Sequence, residues 1–343
     1  MSTTPAPRQP IHYLDYNLPD YSPPLLITWS LVTAVISLAG NTCILVGTIK
    51  HSAIKLDTIS LILIENLAVS DILNTLLVVL PGMATLSTRS ALFSDNLVVC
   101  HVLSKLQYIF GVFNSLAVSI MMVNKLAILL NPISSLIRSA RTGHCLALGA
   151  WVCGLVPALL YLAVGGTTVM FDTRVYRCVP NWNGAPNESL WKMMDNMKSV
   201  IFILIPFIVI LTTTIWMLKF LKKLDTLRPQ NIPLVLSVAI LHLVSFVPFL
   251  LYVVSMNILN PPPQVKYRGD KVAQLYATAV YLNYLNTMSN PVLYYFTSAS
   301  FKKYVRRSLR NLWSRDQERG SVFELNTVSS EKSGKSGAVT NNT

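Results

Sequence analysis

The sequence predicts an all-α membrane protein: a seven-transmembrane helix bundle with a short amphipathic C-terminal helix. Three observations predict it. The chain is 52% hydrophobic and only 13% charged, whereas a soluble domain is about one quarter charged. Its apolar residues fall into seven blocks, near 25–49, 58–82, 98–130, 145–164, 199–221, 233–257 and 272–296, each about as long as the ~20 residues that cross a hydrocarbon core. The net charge of +13 follows topology. With the N-terminus outside, the larger share of Lys and Arg lies inside, notably Lys219, Lys222, Lys223, Arg228 and the basic residues of Lys302–Arg310. That is a positive-inside bias rather than a nucleic-acid surface.

In chain order, residues 1–24 read as an extracellular tail. They are polar and Pro-rich with no apolar h-region, so the first span is expected to serve as the insertion signal. Tyr13, Tyr16 and Tyr21 stand near Asp15 and Asp20. They are candidates for sulfation; the other reading is an unmodified disordered tail. Residues 25–298 hold the seven spans, of which the third is long enough to tilt and project inward. Cys43, Cys145 and Cys153 lie in or beside spans and read as packing thiols. Cys100 and Cys178 both fall outside, where an oxidising compartment permits their pairing. The second outer loop, 165–198, has two β-rich runs, Thr167–Phe171 and Arg174–Val179, around the polar pair Asp172–Thr173. That pattern predicts a hairpin. Asn187-Glu188-Ser189 is a glycosylation acceptor on the same side. Residues 299–313 alternate apolar and basic groups at helical spacing, which predicts a membrane-surface helix. Residues 314–343 are Ser/Thr-rich and expected to be a disordered cytoplasmic tail open to phosphorylation.

The sharpest local signal lies in the seventh span. Asn286 and Asn290 are four apart and share one helical face, and Pro291 loosens the helix beside them. Buried amides need polar partners, and Asp71 in the second span is the available one. No catalytic group, metal or cofactor site is evident. The five histidines form no close ligand pair, and no phosphate loop or nucleophile elbow is present. Asp71 and Glu65 are the acids inside spans, fewer than a proton relay or ion-coupled transporter carries, and no inverted repeat supports a transporter or channel.

Each span also carries a short motif. They run Gly40-Asn41, Asn66–Asp71, Cys100 to Asn124-Lys125-Leu126, Trp151, Pro206, Ser245–Phe249 and Asn290–Tyr294. This ordered set resembles the rhodopsin-like (class A) G-protein-coupled receptors over about residues 25–313. The resemblance implies a polar core of Asp71, Asn114, Asn286 and Asn290, which either binds sodium or holds a water network. It implies a disulfide between Cys100 and Cys178. It implies an inner switch at Asn124, Lys125, Leu126 and Tyr294. By family position the ligand pocket is Gln107, Tyr108 and Gly111, Asp195 and Lys198, Phe246, Phe249 and Val253, with Tyr276 and Tyr284. Lys198 meets a ligand carboxylate, pairs with Asp195, or snorkels outward.

Several positions depart from the family. Its usual Asp-Arg-Tyr triplet is Asn124-Lys125-Leu126, so the expectation is that no ion pair holds the cation at rest. Lys125 lacks a guanidinium fork. Thr214 replaces a usual tyrosine, Phe246 a frequent tryptophan and Ser245 the cysteine before it. Pro229 and Pro233 should shorten the sixth helix. The seventh span lacks the lysine of opsins, and Gln107 replaces the aspartate of amine receptors. The expected function is a multi-pass plasma-membrane receptor, N-terminus outside and C-terminus cytoplasmic. It would carry the signal of an extracellular ligand, a peptide by preference, to heterotrimeric G proteins, with arrestin and receptor kinases as further partners. The rival is a receptor-fold decoy or arrestin-biased protein.

Overall fold

The computed structural model describes residues 23–51, 53–88, 97–130, 139–163, 168–172, 177–181, 188–223, 232–257, 270–311 and 314. Seven long helices form the bundle. The first, α1, is Pro23–His51. α2 runs from Thr58–Asn74 through a π-helical turn, Thr75–Val79, to Leu80–Thr88. α3 is Leu97–Leu130 and α4 is Ala140–Ala163. α5 runs from Glu188–Ser199 through a second π-helical turn, Val200–Leu204, to Ile205–Lys223. α6 is Ile232–Asn257 and α7 is Asp270–Thr297. Residues 299–311 form the terminal helix, α8.

By length and composition, α1 to α6 can each cross a membrane. α7 is more polar but packs along both α1 and α6. α3 is central, touching α2, α4, α5 and α6. The sides facing the interior bury Ile44, Leu63, Leu67, Phe113, Met121, Ile210 and Tyr294. The opposite sides expose Val35, Ile49, Leu148, Leu159, Trp216, Val244 and Phe296. Large apolar groups on the outside suit a hydrocarbon solvent, where polar backbone must be satisfied within each helix.

Both π-helical turns lie just before a proline. Pro81 and Pro206 have no N–H to give the residue four back. The wider turn absorbs the break and keeps each helix continuous. Within the outer segment, β1 (Thr168–Asp172) and β2 (Arg177–Asn181) pair antiparallel, with Phe171 opposite Cys178, and pack against α3. The hairpin matches expectation, but its turn does not. Asp172, expected in the turn, pairs with Arg177 in the ladder. The outer loop is also shorter than expected, because residues 188–198 are helical and extend the fifth span outward. At the other end, Pro233 sits in the first turn of α6, a position that tolerates its missing donor. α8 starts at a Ser298 cap, whose Oγ accepts from Phe301 N at 3.3 Å. Its Phe301 is buried while Lys303, Arg306, Arg307 and Arg310 are exposed, as an interfacial helix requires.

α1 and α7 approach closely because residue 40 has no side chain. A Cβ there would collide with the Pro291 ring, while one at Gly149 would meet nothing within 4 Å. Gly40→Ala should therefore destabilise the bundle by about 1–3 kcal/mol. Gly149→Ala should be neutral or stabilising by up to ~1 kcal/mol. Melting temperatures of the two purified variants check this contrast; equal values would contradict it.

Candidate functional site

Asp71 is fully buried in the middle of α2. Its Oδ1 accepts from Asn114 Nδ2 of α3 at 3.1 Å, and its Oδ2 accepts from Asn290 Nδ2 of α7 at 2.9 Å. No described cation pairs with it. Around it the seam continues into α1. Thr75 Oγ1 donates to Ser37 Oγ at 2.7 Å, and Asn41 Nδ2 donates to the Thr287 carbonyl at 3.1 Å. The expected core thus assembles, with one correction. Asn286 does not reach Asp71. Its Nδ2 donates to Nδ1 of His242 on α6 at 3.2 Å.

His242 escaped the sequence reading. It is 1% exposed and stacks on Phe246 with ring centroids 4.3 Å apart. With the Asn286 amide nitrogen facing it, Nδ1 is the acceptor of this bond. A lone histidine in an apolar helix carries no sign of its partner, and only packing against α7 supplies one.

A small cavity, with room for about one water, lies beside this core. Of the expected pocket residues, Gln107, Gly111, Phe246 and Tyr284 line it. Asn74 and Asn283 line it too and were not foreseen, while Asn114 and Asn286 of the core also line it. Asn283 was legible in principle, since 283, 286 and 290 repeat at helical spacing. Asn74 Nδ2 donates to Thr287 Oγ1 at 3.1 Å, which ties the cavity wall of α2 to α7.

Of the other expected pocket residues, Tyr108, Lys198 and Phe249 are not among those that line this cavity. Lys198 Nζ lies over the Tyr108 ring at 4.7 Å from its centroid, a cation–π contact that none of the three expectations named. Tyr108 meets Phe202 edge-on. Phe249 faces Tyr252 at 6.4 Å. The side chains of Asp195, Val253 and Tyr276 lie outside the described residues, as do those of Cys100 and Cys178. Asn187 and the tail tyrosines lie outside them entirely.

At the basic end of the bundle, called inner here from the charge bias, the structure overturns one expectation. Lys125 is held in an ion pair. Its Nζ donates to Asp57 Oδ1. Asn124 Nδ2 donates to Asp57 Oδ2 at 2.8 Å, and that oxygen also accepts from Ser60 N at 3.0 Å as the N-cap of α2. Burial by itself would raise the Asp57 carboxyl. The Lys125 ammonium, helped by the Ser60 N–H, overrides burial and holds it below the ordinary carboxylate value. The acid comes from another helix, which a search for a local triplet cannot find. Leu126 packs beside the core, and Tyr294 is buried with its ring edge-on to Phe301 at 6.4 Å. Trp151 donates to Asn66 Oδ1 at 3.2 Å and stacks on Phe113 at 4.0 Å, fastening α4 to α2 and α3.

Residues 40–294 match the family described as 7 transmembrane receptor (rhodopsin family). The chain belongs to this family. It is 25% identical to the urotensin-2 receptor of Bos taurus over 292 residues, 81% of this chain and 71% of that one. It is 24% identical to somatostatin receptor type 5 of Rattus norvegicus over 286 residues, covering 81% and 76%. It is 22% identical to the type-1 angiotensin II receptor of Sus scrofa over 315 residues, covering 86% and 83%. The protein is thus a multi-pass membrane receptor of the rhodopsin family.

Within this receptor, the His242–Asn286 bond should act as one unit. Asn286→Ala and His242→Phe should each cost about 1–3 kcal/mol, because each leaves a buried polar group unmet. The double variant should cost clearly less than their sum, by roughly 0.5–3 kcal/mol. Denaturation of the four proteins in one detergent measures the coupling, and strict additivity would contradict the bond.

Proposed function

We propose that this receptor sits in the plasma membrane with its N-terminus outside, binds an extracellular peptide, and signals through heterotrimeric G proteins. The observation that carries the reading is the cavity. Outer pocket residues Gln107, Gly111 and Tyr284 share it with core residues Asn114 and Asn286. The cavity has room for about one water, so a peptide acts from the outer side by shifting the helices that line it and carry the hydrogen bonds joining α2, α3, α6 and α7. Differential contact with two packings of those helices is what a population shift requires. The outer hairpin and the acidic, tyrosine-rich tail favour a peptide among ligand classes. The names of the relatives, receptors for urotensin-2, somatostatin and angiotensin II, lie on the same side. Arrestin and receptor kinases are the further partners of the Ser/Thr-rich tail.

The polar core supports a sodium ion. Asn114 Oδ1 is buried without a hydrogen-bond partner among the described residues, beside a carboxylate that no described cation neutralises. A carboxylate with neutral oxygens is a hard-cation donor set. Sodium should raise the melting temperature of the purified receptor more than the same concentration of a bulky organic cation does, because a ligand of the folded state stabilises by mass action. Asp71→Ala should abolish the difference; a difference that survives in the variant would remove sodium from this site.

The second reading, a receptor with impaired G-protein coupling and arrestin bias, rests on Asn124-Lys125-Leu126. Nucleotide exchange by each G-protein class, with a peptide library as ligand source, decides between them. Exchange by at least one class is expected. Silence of well-expressed receptor, with arrestin recruitment retained, would favour the second reading.

A further inference from the structure

We infer that Asp57 is the counter-ion that keeps Lys125 from the coupling face, so that a partner can engage Lys125 only by drawing it away from the N-terminus of α2. The inference rests on the proposed G-protein coupling and on Lys125 belonging to the inner switch that the family resemblance implies.

The geometry is specific. Asp57 Oδ1 accepts from Lys125 Nζ. Asp57 Oδ2 accepts from Asn124 Nδ2 at 2.8 Å and from Ser60 N at 3.0 Å. One carboxylate thus meets three donors on two helices. The Lys125 and Asp57 side chains are only 9% and 13% exposed. A pair shielded to this degree is not screened like a surface ion pair, and losing one member strands the other.

Residues 124 and 125 fit this arrangement and would not fit the usual one. An aspartate at 124 would put a second carboxylate at hydrogen-bond distance from Asp57 Oδ2. Two carboxylates so close cannot both stay ionised. An arginine at 125 would bring a planar fork that takes both carboxylate oxygens and competes with the Asn124 amide. An ammonium takes one oxygen and leaves the other to Asn124 and the helix cap. Asparagine at 124, lysine at 125 and aspartate at 57 therefore form one set. The acid has not been lost but has moved from α3 to the residue before α2.

Protonation does not open the pair under ordinary conditions. The lowered Asp57 value keeps the carboxylate ionised at neutral pH, and its contribution fades only as pH falls through that depressed value. Opening requires competing oxygen acceptors, which a docking partner supplies.

The bland reading makes Asp57 a helix cap and nothing more. Capping needs a side-chain oxygen, not a charge, so Asp57→Asn keeps the cap and removes the counter-ion, whereas Asp57→Ala removes both. The experiment uses full-length receptor in lipid nanodiscs. Acetylation of Lys125 by acetic anhydride is followed by mass spectrometry, and nucleotide exchange of added G protein is measured in parallel. Wild type should protect Lys125, and Asp57→Asn should acetylate it on the order of tenfold faster, equivalent to about 1.4 kcal/mol of lost protection; its melting temperature should fall because the lysine is left unpaired, while the other lysines keep their wild-type rates at a temperature well below melting. Asp57→Asn/Asn124→Asp, which returns the acid to α3, should restore protection. Equal acetylation of wild type and Asp57→Asn would overturn the counter-ion role whatever the exchange assay shows. So would failure of the double variant to restore protection when its melting temperature is normal. Protection lost in Asp57→Asn with no exchange in any variant would instead overturn G-protein coupling and leave the counter-ion role standing.

Discussion

Every polar group buried in this bundle has to be answered from within the bundle, because the hydrocarbon around it offers no hydrogen bonds. The hydrogen bonds of Asp71 are the clearest case. A carboxylate at 0% exposure is costly unless donors surround it. Amides from α3 and α7 supply them. Asn41, Asn74, Thr75 and Ser37 extend the network, each tying one helix to the next. Apolar packing fills the bundle, but apolar contacts tolerate sliding. The amide-to-carboxylate bonds set which residue of α2 faces which residue of α3 and α7.

That requirement explains what was legible in the sequence. Runs of apolar residues are read directly as spans, because length against bilayer thickness is a one-dimensional question. Asp71 with Asn286 and Asn290 stood out because polar groups are rare in such runs, and spacing alone puts the two amides on one face. Partners were less legible. Asn286 and Asn290 share a face, yet one meets Asp71 on α2 and the other meets His242 on α6. Helical rise separates them by about 6 Å, and only the packing of α6 on α7 decides which donor goes where. The Asp57–Lys125 pair spans 68 residues. A sequence shows that an acid is missing beside Lys125, but not that another helix brings one. The helical stretch 188–198 was hidden for a different reason. It is polar enough to fall below a membrane threshold, so hydropathy placed it in a loop, although its residues support a helix.

The two halves of the bundle are fastened differently. α2 and α3 are joined twice, by Asn114 to Asp71 and by Asn124 and Lys125 to Asp57. These points lie 14 residues apart on α2 (71 minus 57), about 21 Å along a helix. Two separated fastenings resist both translation and rocking, so α2 and α3 can be treated as one body. α6 and α7 form a second body, joined along their length and by His242 to Asn286. Hydrogen bonds between the bodies include Asn290 to Asp71 and Asn74 to Thr287.

This division gives the cavity its meaning. Asn74, Gln107 and Gly111 belong to the first body; Phe246, Asn283 and Tyr284 belong to the second. A ligand that shifted either body would reshape this water-sized cavity immediately beside the hydrogen bonds that set their relation. Packed interfaces of this kind have discrete arrangements rather than continuous ones. How far a ligand redistributes two such arrangements is set by the difference in its affinity for them. If Lys125 is the coupling residue, the inner end would read out the result only once Lys125 leaves Asp57, because the second fastening of α2 to α3 covers the cation itself. Stability of the rigid pair and availability of the coupling residue thus depend on the same bond. On the proposed reading, a receptor built this way would have a quiet inner face at rest although Asn124 has no charge to offer the neighbouring Lys125.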